Sequence, residues 1–154
     1  MPLNDLITAD AILPALRVNT KKSALHEMSE RASALSGLAA REIYDAVLQR
    51  ERLGSTGVGT GIAIPHGKLT SCSKIVGVFA RLERPIEFES LDGAPVDLAF
   101  LLVAPEASGA DHLKALARIA RVLREPRIVA KLRATRDADG LFYVLTQQQA
   151  SNAA

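Results

Sequence analysis

The feature that most constrains this chain is the apolar run Val96-Asp97-Leu98-Ala99-Phe100-Leu101-Leu102-Val103, which Asp97 alone interrupts. A strand with one wet face alternates apolar and polar residues. A run without alternation needs cover on both faces and reads as a central strand. Lys74–Leu82 reads as a second strand and Ile62–Ile64 as a short third. Pro85–Phe88 reads as a further short strand, with a turn at Asp92-Gly93.

Cover for such strands comes from helices, and the chain supplies them. Residues 21–35 place Leu25, Met28, Ala32 and Leu35 at helical spacing, with Thr20 as N-cap and Gly37 as stop. Residues 39–52 repeat the pattern with Ile43, Val47 and Leu48 and end at Gly54. Arg50 and Arg52 fall in the last turn, where cations suit the helix dipole. Residues 110–124 place Leu113, Leu116, Ile119, Ala120 and Leu123 on one face. Pro126 opens another helix at its first turn, and Asp137 caps a final one through Leu145. Helices before, between and after the strands predict an α/β fold. The expected form is a single-domain sandwich, a mixed β-sheet flanked by helices on both faces.

Composition narrows the function classes. A chain of 154 residues suits one domain, and its net charge of +2 points to neither nucleic acid nor membrane. Aromatics make up 4% of residues and Trp is absent, which argues against stacking platforms for single strands. Cys72 stands alone, so no internal disulfide forms, and this fits a reducing compartment. The N-terminus lacks the basic start and apolar core of a signal peptide, and no run approaches the ~18 residues of a membrane span. A cytoplasmic protein is expected.

The chemistry concentrates in Arg50-Glu51-Arg52-Leu53-Gly54-Ser55-Thr56-Gly57-Val58-Gly59-Thr60-Gly61-Ile62-Ala63-Ile64-Pro65-His66-Gly67-Lys68. A helix runs into a glycine-rich loop, then a short strand, then His66 between Pro65 and Gly67. Pro65 removes a backbone donor, and Gly67 permits close approach by another molecule. Better-known glycine motifs do not fit. Ile62 stands where G-x-G-x-x-G needs its last glycine, and Leu69 follows Lys68 where a P-loop needs Ser or Thr. His26, His66 and His112 form no zinc-ligand pattern. His112 lies four residues before Leu116, on the inward edge of its helix and near the N-terminus, where backbone N–H groups favour anions. Residues alone leave two readings of His66: a strand-end histidine with a satisfied hydrogen bond, or a nucleophile. In the second, Arg50 meets phosphoryl oxygens by charge-assisted bonds, His112 donates another, and His66 attacks. The Ser55–Gly61 glycines serve either as phosphate donors or only as a turn.

The Arg50–Lys68 string closely resembles the active-site segment of IIA proteins of the bacterial phosphotransferase system. The class is fructose/mannitol, and the nitrogen-regulatory branch is the nearer match. Similarity extends to Lys21-Lys22, Arg41–Arg52, Pro85-Ile86-Glu87-Phe88, Asp92-Gly93-x-Pro95-Val96-Asp97-Leu98, Phe100–Glu106 and His112-Leu113-x-x-Leu116. It makes residues 1–146 one IIA (type 2) domain and leaves 147–154 as a disordered tail. The resemblance implies that His66 accepts a phosphoryl group from an HPr-type phosphocarrier, that Arg50 binds the phosphate, and that His112 assists. It implies no metal or organic cofactor. It further implies regulated targets, such as a potassium-transport protein or sensor kinase, or else a IIB domain. The expected function is therefore a nitrogen-regulatory IIA phosphoacceptor. A sugar-specific IIA component serving uptake is the alternative, and a phosphorylation-independent binding module is the reading from another class.

Cys72, His26 and the basic stretch 112–136 carry less weight. Cys72 reads as a spectator and His26 as a surface residue. The stretch holds eight Lys and Arg against Glu125 alone. It is a solvated helical face or a docking surface for an acidic partner.

Overall fold

A computed structural model describes residues 3–153, with side chains as far as Thr146. The expected disordered tail at 147–154 lies outside the described residues, apart from the helical backbone that reaches Ala153. Among the described residues, six strands form one mixed sheet, with five α-helices beside it: the strands are β1 (Ile12–Leu16), β2 (Gly57–Gly59), β3 (Ile62–Ala63), β4 (His66–Leu69), β5 (Val76–Ile86) and β6 (Val96–Pro105). The helices are α1 (Lys21–Ser36), α2 (Ala40–Arg52), α3 (Asp111–Val122), α4 (Pro126–Ala134) and α5 (Ala138–Ala153).

The predicted central strand is central. β6 pairs antiparallel with β5 on one side and parallel with β3 and β4, end to end, on the other. Its side chains alternate between two cores. Leu98, Phe100 and Leu102 join Phe79 and residues of α3, α4 and α5, including Ile119, Leu132 and Leu141. Ala99, Leu101 and Val103 join Val78, Ala80 and residues of α1 and α2, including Leu25, Met28 and Val47. Helices thus cover both faces of the sheet, which is why β6 needs no polar alternation.

The helix signals act as their chemistry requires. The Thr20 hydroxyl accepts from the Ser23 amide at 3.1 Å, and Gly37 ends α1 at φ +80°. Pro126 sits in the first turn of α4, and the Asp137 carboxylate accepts from the Gly140 amide at 2.9 Å. Leu113 departs from expectation. It is 60% exposed, whereas Ala115, Ile119 and Val122 face the core. Leu113 stands two residues from Ala115, about 200° around the helix, so both cannot face inward.

Three strands escaped the sequence reading. β1 contains Pro14, which lacks an amide donor, and is tolerated because β1 pairs with β5 alone, at the sheet edge. β2 lies inside the run read as a loop, since two of its three residues are glycine. β4 has only four residues, one of them Gly67. Of the separate strand expected at Pro85–Phe88, Pro85 and Ile86 are instead the end of β5, reached through a register shift between Arg81 and Ile86, and Glu87 and Phe88 lie beyond it.

Candidate functional site

The broken edge beside β6 positions His66. Ile62 and Ala63 pair with Leu98 and Ala99, and the Pro65 carbonyl accepts from the Leu102 amide at 2.9 Å. β4 then pairs His66 with Leu102 and Gly67 with Val103. His66 is therefore the first residue of a new strand rather than the end of the preceding one. Cross-strand partners share a face, so His66 lies on the α3 side and Gly67 on the α2 side.

Gly67 decides how near α2 comes. A Cβ there would lie 3.1 Å from the Ala46 carbonyl carbon and 3.1 Å from the Val47 nitrogen. The close approach expected of another molecule is made by the α2 backbone. Arg50, one turn further along α2, reaches the same cleft as His66. Its Nη1 donates to the Gly54 carbonyl at 2.8 Å. The first turn of α3 supplies His112, whose Nδ1 lies 3.0 Å from the Gly109 carbonyl oxygen.

The three predicted residues line one open cleft of about 600 Å³, with Gln49, Lys68 and Glu106 also on its wall. The sequence reading did not single out these last three. Lys68 was legible from strand period, two residues after His66. Glu106 follows the end of β6, and its place on the wall depends on β6 pairing with β4, where its amide donates to the Leu69 carbonyl at 3.0 Å.

The His66 Nδ1 lies 2.9 Å from the Ile64 carbonyl oxygen. A carbonyl only accepts, so Nδ1 carries the hydrogen and Nε2 the lone pair. Burial holds the His66 pKa below its ordinary value, and the charges of Arg50 and His112 press the same way, against the Ile64 bond and Glu51. The ring is neutral at neutral pH. Gly109 fixes the same tautomer in His112, so its Nε2 is bare in the neutral ring. The donor role expected of His112 therefore requires that it first take a proton.

The Ser55–Gly61 run does not line this cleft. Its glycines serve a hairpin between β2 and β3. Thr60 and Gly61 adopt φ +56° and +85°, the positive pair that a tight hairpin turn requires. The Thr60 amide donates to Asp92 at 2.9 Å, and its carbonyl accepts from Arg133 at 2.7 Å. Cys72 is buried, its thiol pKa raised by that burial, and lines a different hollow. His26 is a surface residue, its side chain 59% exposed. Two cations of the basic stretch are engaged: Arg118 with Asp5 at 2.6 Å and Arg133 with Asp97 at 2.9 Å. Among the described residues, no helix is long and apolar enough to cross a membrane.

Known proteins resemble this chain in sequence and in fold. The chain is 59% identical to a nitrogen regulatory protein of Bradyrhizobium diazoefficiens over 99% of its own length and 100% of the relative's. It is 37% identical to a nitrogen regulatory protein of Escherichia coli, covering 97% and 92% of the two chains. The crystal structure of nitrogen regulatory protein IIA-Ntr from Neisseria meningitidis superposes with a TM-score of 0.89 at 30% identity, covering 94% of this chain and 99% of that one. The family described as "Phosphoenolpyruvate-dependent sugar phosphotransferase system, EIIA 2" matches residues 5–148. With that match spanning nearly the whole sheet-and-helix unit, the chain belongs to the EIIA 2 family of the phosphotransferase system.

Proposed function

We propose that this protein is a nitrogen-regulatory IIA phosphoacceptor, phosphorylated on Nε2 of His66 by an HPr-type phosphocarrier and acting on partner proteins according to its phosphorylation state. The observation that carries this reading is the Ile64 carbonyl 2.9 Å from His66 Nδ1. That bond orients the ring and leaves Nε2 as the nucleophile. The regulatory role is supported by the likeness, over nearly their full length, to proteins named as nitrogen regulatory.

Phosphoryl transfer asks for positioning and charge stabilisation. The neutral Nε2 lone pair attacks phosphorus in line. The bond from phosphorus to the carrier breaks, and its electron pair returns to the carrier. Arg50 exchanges its bond to Gly54 for the phosphoryl oxygens, a stronger charge-assisted contact. His112, taking a proton from solvent in the open cleft, donates from Nε2 to the same group. Lys68 adds positive potential, and Glu106 opposes accumulation of negative charge on its side of the cleft.

Sugar uptake through a IIB domain is a second reading, favoured by the sugar phosphotransferase description of the family. It uses the same chemistry at His66. The test is phosphotransfer from phosphoenolpyruvate through enzyme I and its phosphocarrier, read by intact mass. A gain of about 80 Da, one phosphoryl group, is expected in wild type and absent in His66→Ala. Labelling of His66→Ala would overturn the assignment. No gain in wild type, beside a labelled IIA control, would leave a phosphorylation-independent binding module. Phosphate passage to a IIB domain with coupled sugar transport would instead establish the uptake role.

A further inference from the structure

A second constellation lies behind the cleft. The Glu51 carboxylate is buried, its side chain 2% exposed, and Lys21 Nζ at the start of α1 stands 2.8 Å from it. The Thr56 amide donates to both carboxylate oxygens at 3.2 Å, and the Thr56 hydroxyl donates to one of them. Lys21 also donates to the Phe88 carbonyl at 3.3 Å and lies 4.7 Å above the Phe88 ring. A buried ion pair is a poor device for stability, because desolvation offsets much of its attraction. Its position gives it another use.

Two residues connect this pair to the imidazole. Thr56, held by Glu51, accepts at its carbonyl from the Ile64 amide at 3.0 Å. Ile64, so fixed, offers its carbonyl to His66 Nδ1 at 2.9 Å. The same carboxylate anchors the loop whose Gly54 carbonyl holds Arg50. Two backbone groups whose placement matters for transfer thus share one anchor.

We propose that Glu51, braced by Lys21, is a positioning residue for phosphoryl transfer: through Thr56 and Ile64 it holds the carbonyl that selects the reactive tautomer of His66. This rests on the phosphoacceptor reading above. Glu51 does not line the cleft, so its contribution lies in orientation and in the field of its charge. That field favours the protonated ring, opposing the effect of burial.

The decisive variant is Glu51→Gln, which keeps an acceptor for Thr56 but turns N–H donors toward Lys21. The expected result is a fall in kcat of about tenfold, the scale of a small misplacement, with KM for the phosphocarrier unchanged. Nitrogen-15 NMR of the unphosphorylated protein should show loss of the pure Nδ1–H tautomer of His66 and a lower titration midpoint. A folded Glu51→Gln protein with wild-type kcat and tautomer would overturn the proposal. If that variant does not fold, Thr56→Val removes only the hydroxyl link. It should lower kcat in the same sense but less, and wild-type behaviour there would overturn the proposal equally. The tautomer measurement needs no phosphocarrier. Failure of wild type to accept phosphate would therefore overturn the functional reading while the positioning role is still decided.

Discussion

His66 Nδ1 and the Ile64 carbonyl oxygen lie 2.9 Å apart, across a proline that has no amide hydrogen of its own. The bond leaves Nε2 as the nitrogen with the free lone pair, and burial fixes the charge. Burial holds the His66 pKa below its ordinary value of about 6.5. The phosphorylation rate should be flat above that pH and fall on the acid side, with a midpoint below 6.5. Rapid-quench labelling across about pH 4.5–8, a range set around the ordinary imidazole pKa, checks this, and a midpoint above 6.5 would contradict it.

The same depression links His66 to stability. The folded chain binds the His66 proton less readily than the unfolded chain does. Between the ordinary pKa of about 6.5 and the lower folded value, the unfolded state therefore holds more protons. This contribution to stability is present above that window, is lost as pH falls through it, and levels off below. Urea midpoints against pH should fall more steeply for wild type than for His66→Ala. Parallel curves would mean that His66 is not depressed.

Arg50 supplies a planar cation to the cleft, resting on Gly54 at 2.8 Å. Arg50→Ala should slow phosphorylation by about 10²-fold, the usual scale for losing one preorganised donor to developing charge. Arg50→Lys should recover only part of the rate, because a point charge does not reproduce the forked contact. Circular dichroism should be unchanged in both. An unchanged rate in Arg50→Ala would remove Arg50 from the site.

His112 is tied by Nδ1 to the Gly109 carbonyl at 3.0 Å and donates to phosphate only when protonated. Phosphorylation should therefore draw a proton onto this ring. Nitrogen-15 NMR of the phosphorylated protein should show a hydrogen on His112 Nε2, bonded to the phosphoryl group. A bare Nε2 in that spectrum would exclude the contact. His112→Ala should slow transfer by about tenfold, less than the loss of a preorganised donor, because His112 must first take a proton.

Gly67 lets β4 rest on α2. Gly67→Ala places a carbon 3.1 Å from backbone atoms of Ala46 and Val47, neither of which is a flexible side-chain end. Overpacking of this kind costs about 1–3 kcal/mol, which urea unfolding would register. The displacement also widens the gap between Arg50 and His66, so the phosphorylation rate should fall beyond what the loss of folded protein explains. Equal stability and rate would mean that α2 can yield freely.

Much of this molecule was legible before its structure. The unbroken apolar run Val96–Val103 required cover on both faces, and the capping chemistry of Thr20, Gly37, Pro126 and Asp137 located helix ends, because these effects act within a few residues. The string around His66, with its likeness to IIA proteins, pointed to Arg50, His66 and His112, which line one cleft. Tertiary structure alone decided what those groups do to one another. β4 was invisible because four residues with a central glycine carry too little period, and its existence depends on pairing with β6. Leu113 turned outward because the core selected the face of α3 defined by Ala115 and Ile119. The Ser55–Gly61 glycines, open between phosphate donors and a turn, proved to build a hairpin away from the cleft. The anchoring of His66 through Thr56 to Glu51 and Lys21 spans α1, α2 and the β3–β4 junction. Periodicity reports the neighbours of a residue along one element; contacts between elements form only when the sheet brings them together, and those contacts set the tautomer of His66, the reach of Arg50 and the need of His112 for a proton.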